Sequence, residues 1–186
     1  MKDLKMAEIS YAFSKCYKDY FSTFKETSID DNNKDKPPKY LCTDESVSVI
    51  NFDEMIKDKY PNADERPQSF DAIYIFDKKI YCIEFKNEKK PNNKNIVGKL
   101  VDGKKELDII LGQVKVQKNN YQFIYCVVHK NHKPKYTRYK SGIIRGQTNF
   151  ALLKYKENKL IDDVFVEDVS FFTNKFQELT LKELIC

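Results

Sequence analysis

Asp71, Glu84 and Lys86 are the residues of this sequence whose types and spacing point to chemistry. They sit at one end of two apolar runs, Phe70 to Phe76 and Ile80 to Lys86, separated by the polar Asp77-Lys78-Lys79. Both runs are rich in β-branched and aromatic residues, a pattern that predicts two antiparallel strands joined by a short turn. Side chains alternate faces along a strand. Asp71, Ile73 and Ile75 therefore share one face of the first strand, and Ile80, Cys82, Glu84 and Lys86 share one face of the second. With the turn at Lys78, Asp71 falls nearly opposite Glu84. Two carboxylates and a lysine at the end of an otherwise apolar hairpin cost free energy unless they are paired or bind something. The chemistry this arrangement serves is metal-dependent phosphodiester hydrolysis. Two carboxylates on adjacent strands hold Mg²⁺ or Mn²⁺, and water and phosphate oxygens fill the other positions. A lysine two residues from the second carboxylate positions the attacking water or stabilises developing negative charge.

The run Ile83-Glu84-Phe85-Lys86, with Asp71 at the head of the preceding strand, resembles the PD-(D/E)xK nuclease superfamily. Asp71 matches the family's first aspartate, Glu84 its second acidic residue and Lys86 its lysine. One departure is that Phe70 precedes Asp71, with the proline further back at Pro67. The resemblance implies an α/β (α+β) fold with a restriction-endonuclease-like core, a central mixed β-sheet flanked by helices. It also implies a divalent metal, Mg²⁺ or Mn²⁺, at the Asp71, Glu84, Lys86 corner. Many proteins similar to this superfamily add an acidic residue from the first helix, for which Glu8 is the match. Glu8 equally suits an acid complementing a helix N-terminus. The helix after the lysine strand often lends basic or amide residues to the site, here Lys99 and Gln113. An ordinary amphipathic hairpin with solvated charged ends is the competing reading.

The elements that would position this corner can be read along the chain. Leu4 to Phe24 carries apolar residues at three- and four-residue steps and predicts a helix packed on the sheet. Its stripe includes Cys16, which, like Cys82 and Cys126, reads as a buried thiol. Glu26 to Tyr40 is polar, ends in Pro37-Pro38 and reads as a loop, with Asp30 and Asp31 as solvated acids. Leu41 to Tyr60 is ambiguous: Thr43 or Asp44 suits a helix cap and Asn51 to Lys59 has helical spacing, while Val47, Val49 and Ile50 suit a short strand instead. Asp53 and Glu54 are further acidic candidates there. A helix is predicted over about Asn95 to Lys115, and a buried strand over Tyr121 to His129. Strand–strand–helix–strand is the order the superfamily core would show. Lys130 to Arg145 reads as a basic loop. Its Lys135, Arg138, Lys140 and Arg145, interleaved with Tyr136 and Tyr139, suit phosphate contacts and base stacking, as does Lys99 on the preceding helix. A C-terminal extension from about residue 149 reads as a strand over Phe150 to Tyr155, a partner strand over Leu160 to Val166, and a closing segment that is partly helical.

At 186 residues the chain suits one nuclease-like domain. The net charge of +5 fits a nucleic-acid partner, and a solvated lysine-rich surface gives the same number. The five cysteines form no CxxC pair and, as an odd set without a framework, argue for a reducing, cytoplasmic compartment. No apolar run spans a membrane. The expected function is a divalent-metal-dependent endonuclease or exonuclease, with DNA as the default substrate and a homodimer allowed. The alternatives are an RNA endonuclease or toxin nuclease, and a non-catalytic nucleic-acid- or protein-binding module on the same fold.

Overall fold

The computed structural model describes residues 7–30, 37–88, 92–130 and 137–186. They form an α+β fold whose centre is a six-stranded mixed sheet. The elements run α1 (Ala7–Cys16), β1 (Phe21–Thr23), α2 (Phe24–Thr27), β2 (Ile29–Asp30), β3 (Lys39–Tyr40), β4 (Ser48–Asn51), α3 (Phe52–Lys59), β5 (Ala72–Phe76), β6 (Lys79–Lys86), α4 (Asn93–Gln113), β7 (Gln122–His129), α5 (Thr137–Glu157), β8 (Asp163–Asp168) and α6 (Val169–Thr180). The sheet order is β1-β4-β5-β6-β7-β8, and β2 pairs β3 in a separate ribbon. Neighbours from β1 to β6 are antiparallel, while β6, β7 and β8 are parallel. Parallel neighbours need a crossover, which α4 and α5 supply.

The hairpin forms as the alternation of its side chains dictates. Phe76 pairs Lys79, leaving a two-residue turn in which Asp77 takes the left-handed φ of 54° that aspartate tolerates. Ile73, Ile80 and Cys82 face one core with Tyr125 and Val127, covered by α1, α3, α4 and α5. Ala72, Tyr74, Tyr81 and Ile83 face a second core closed by Phe24 and by Phe172 and Phe176 of α6. Buried on both faces, β6 and β7 read as near-continuous apolar runs.

Two glycines bring α4 against the segment that leads into Asp71. A Cβ at Gly98 would overlap the Gln68 side chain, and one at Gly103 would lie 2.7 Å from two ring atoms of Phe70. Phe70 is fully buried and stacks on Phe52 at 4.4 Å between ring centroids, so it has little room to yield. We expect Gly103→Ala to lower unfolding free energy by about 1–2 kcal/mol, because overpacking exceeds the roughly 1 kcal/mol that alanine gains in a helix. Chemical denaturation checks this, and a variant as stable as the parent would contradict it.

Several expected elements differ. The predicted helix over Leu4 to Phe24 stops at Cys16, and Phe21–Thr23 instead forms the edge strand beside β4. Its aromatic and β-branched residues complete that ladder, which outweighs helical periodicity. Cys16 is exposed, whereas Cys82 and Cys126 are buried thiols as expected. Cys42 and Cys186 form a disulfide, so the expectation of a wholly unpaired set fails and the argument for a reducing compartment loses its basis. The predicted strand over Phe150 to Tyr155, and the predicted basic loop from Thr137 onward, are corrected by α5, while residues 131–136 of that loop lie outside the described residues. Ile144, Thr148 and Leu152, all buried, recur at four-residue steps along it. β8 accordingly pairs β7 in parallel rather than a strand at 150–155. Among the described residues no helix is long and apolar enough to cross a membrane.

Candidate active site at the β5–β6 corner

Asp71 precedes β5, and the register Ala72↔Ile83 extends to put it opposite Glu84. Its amide donates to Ile83 O at 2.9 Å, and its own carbonyl accepts from Phe52 N at 3.1 Å. Its carboxylate is fixed as well, because Phe85 N donates to Asp71 Oδ2 at 2.6 Å. Oδ1 is left facing Lys99 Nζ at 3.1 Å. One sheet residue thus orients the acid that its neighbouring strand requires.

Glu84 is fully buried at the carboxyl end of β6. Lys86 Nζ and Lys99 Nζ both stand 2.8 Å from its Oε1. These two ammonium groups are the partners of Glu84, and among the described residues its carboxylate has no other donor. An ionised carboxylate in that state is expensive. Burial, with Asp71 adding repulsion, pushes Glu84 up to about 7 against the pull of the two lysines. Burial likewise raises Asp71, opposed by Lys99 and the Phe85 amide. Burial would lower Lys99, but Asp71 and Glu84 outweigh it and hold the ammonium charged. Lys86 also donates to Asn95 Oδ1 at 3.1 Å, which fixes it from the first turn of α4.

The corner opens into a cleft of about 400 Å³ lined by Asp71, Glu84, Lys86 and Lys99, with Ser28, Ile29, Asp30 and Leu41 among the other lining residues. That volume lies in the ordinary range of ligand sites. The side chains of Asp71 and Lys99 remain about one-fifth exposed, at 20% and 21%, so of the four corner residues they are the ones solvent reaches most.

Of the residues singled out in the sequence, Asp71, Glu84, Lys86 and Lys99 come together. Glu8 lies in the first turn of α1, its side chain outside the described residues. Lys135 is outside them altogether, and Arg138 and Lys140 are placed in α5 without described side chains. Arg145 pairs with Glu167 of β8 at 3.2 Å and does not line the cleft. Gln113 accepts from the Tyr17 hydroxyl at 3.2 Å, which turns it toward α1. Asp53 accepts from Ser69 Oγ at 2.6 Å and pairs with Lys57 at 2.9 Å, and Glu54 also holds Lys57; Asp53 still lies close enough for its charge to act on Asp71 and Lys99, without lining the cleft. Asn95 was not foreseen. Its signal was available, because it stands four residues before Lys99 and so shares a helix face with it. The chain matches no protein-family model, no curated protein and no solved structure.

The donor set can be tested against Mg²⁺ or Mn²⁺. These ions take oxygen ligands, and Mg²⁺ commonly uses only one or two carboxylates, with waters and phosphate oxygens completing the octahedron. Glu84 supplies two buried carboxylate oxygens whose partners are lysine ammonium groups, and Asp71 Oδ1 converges on the same point through Lys99. Among the described residues no group of three His, Cys, Asp or Glu side chains gathers as metal ligands would. The two carboxylates therefore suit a lightly held, largely hydrated ion.

Proposed function

We propose that this chain is a divalent-metal-dependent nuclease with a restriction-endonuclease-like core, acting on DNA by default. The observation that carries the reading is the pair of carboxylates on adjacent strands, Asp71 and Glu84. The second is wholly buried, with the ammonium groups of Lys86 and Lys99 as its partners, at the wall of a cleft. A buried ion cluster of this kind is often no more stabilising than apolar side chains of the same volume, which supports a functional reason for keeping it. The order β5-β6-α4-β7 supports the same reading.

Asp71 and Glu84 are the residues that would hold the ion, which when bound polarises the phosphate and lowers the pKa of a coordinated water. The Phe85 amide keeps the Asp71 carboxylate turned into the cleft. Lys86, steadied by Asn95, presents an ammonium where a water attacking phosphorus would be oriented and where negative charge develops. Lysine and amide groups at the cleft attract the phosphodiester backbone.

A second reading, a non-catalytic binding module, is favoured by one observation: Lys99 already bridges both carboxylates. A cleavage panel separates the two. Supercoiled plasmid, linear duplex, single-stranded DNA and RNA are each incubated with EDTA, Mg²⁺ or Mn²⁺. Cutting that requires metal is the expected result and names the substrate. Intact nucleic acid in every lane, from folded protein, would sink the nuclease reading.

A further inference from the structure

Lys99 does something that a phosphate-binding lysine need not do. Its ammonium lies 3.1 Å from Asp71 Oδ1 and 2.8 Å from Glu84 Oε1, between the two oxygens that converge on the cleft. Mg²⁺ binds oxygen at about 2.0–2.1 Å, so an ion touching both oxygens would need the space the ammonium fills. The charges make the same point. With both carboxylates ionised, Asp71 and Glu84 carry −2 against the +2 of Lys86 and Lys99, so these four groups balance. A dication added to the unchanged corner would face two ammonium groups within a few ångströms and little net attraction.

The two lysines are not equivalent. Lys86 is additionally held by Asn95 and its side chain is 8% exposed. Lys99 contacts the two carboxylates, lines the cleft, and carries a flexible four-carbon stem. It is the cation able to leave.

We infer that Lys99 is the resident counter-cation of the Asp71–Glu84 pair, and that it competes with divalent metal for these carboxylates and must withdraw into the cleft before metal is held. The inference rests on the nuclease reading of the site and adds a control to it. Metal-free protein is kept folded with its carboxylates paired, and metal affinity is set low by the lysine that must be displaced.

The test is direct Mn²⁺ binding to the purified full chain, read from the loss of the free-ion EPR signal, with no nucleic acid present. Lys99→Met is expected to bind Mn²⁺ at least about ten-fold tighter than the parent, because the competitor is gone. Lys99→Arg, which keeps the charge and offers a fork to both carboxylates, is expected to bind more weakly than the parent. Lys86→Met removes the same charge without vacating the bridge and should tighten binding less than Lys99→Met. Equal tightening by the two methionine variants would reduce the effect to net charge and overturn the competition. So would unchanged or weaker binding by Lys99→Met, even where the parent binds Mn²⁺ and cuts, in which case the nuclease reading stands alone. If neither the parent nor Lys99→Met takes up Mn²⁺ at millimolar concentration, the metal site and this inference fall together. The arginine variant keeps the question decidable should the methionine variant fail to fold.

Discussion

Glu84→Gln is expected to abolish metal-dependent cleavage, lowering the rate by about three orders of magnitude, while leaving the fold intact. Glutamine keeps the shape and loses the charge. One of two anionic ligands disappears, and Lys86 and Lys99 lose the anion that holds them 2.8 Å from Oε1. The fold should survive, with reduced stability from the lost ion pairs, because Lys86 keeps Asn95 and Lys99 keeps Asp71 as partners. A second readout is independent of cleavage. Burial pushes Glu84 from 4.5 to about 7. Between those values the native chain holds a proton that the unfolded chain has released, so metal-free stability falls as pH rises through the window. E84Q lacks that proton, and its stability relative to the parent should improve from pH 4.5 to 7. Urea denaturation at several pH values measures it. Cleavage within a few-fold of the parent would remove Glu84 from the chemistry, and a stability difference that does not change with pH would show that its carboxyl is not perturbed by burial.

Why the corner was legible, and its lysine clamp was not, follows from how each is encoded. Strand alternation is a local rule. Once the turn lies at Asp77-Lys78, Asp71 must face Glu84, and Ile83 and Phe85 must point away from them. The β5-β6-α4-β7 order is legible from the β-branched and aromatic runs and from the helical spacing of Ile96, Leu100, Leu107 and Ile110 between them. Lys99 was visible as a basic residue on the helix after the lysine strand, but its reach to Asp71 depends on how closely α4 approaches Phe70. Gly98 and Gly103 set that distance, and they read as ordinary helix glycines until their neighbours are known. Misreading α5 has a different cause. Phe150, Leu153 and Tyr155 look like strand residues, yet Phe150 is 80% exposed, and the buried positions are Ile144, Thr148 and Leu152. In a helix without a strongly one-sided pattern, aromatic content misleads and tertiary packing decides. The Cys42–Cys186 pairing, 144 residues apart, had no spacing signal at all.

That pairing carries the other large expected effect. Reduction, or Cys186→Ser, should lower unfolding free energy by about 2–5 kcal/mol, as expected for a cross-link closing a loop of well over a hundred residues. The bond joins the last residue to the segment after β3, and polar contacts reinforce it. Thr43 Oγ1 donates to Ile185 O at 3.2 Å, and Ile185 N donates to Asp44 Oδ2 at 3.0 Å. Asp44 Oδ1 in turn accepts from the amides of Ser46 and Val47, both at 2.9 Å, shaping the turn into β4. Those contacts survive loss of the sulfur bridge, so the native structure should persist, and the change should appear as a lower urea midpoint, with a steeper slope because the unlinked unfolded chain exposes more surface, or as a lower melting temperature. The carboxylates and lysines sit on the β5–β6 hairpin and α4, which the bridge does not touch, although Leu41 beside it lines the cleft. Cleavage by folded Cys186→Ser should therefore stay within a few-fold of the parent at temperatures well below its melting point. A variant as stable as the parent would mean that the tail contacts alone hold the terminus. A variant that stays folded yet loses activity would make the Leu41 wall part of the substrate site.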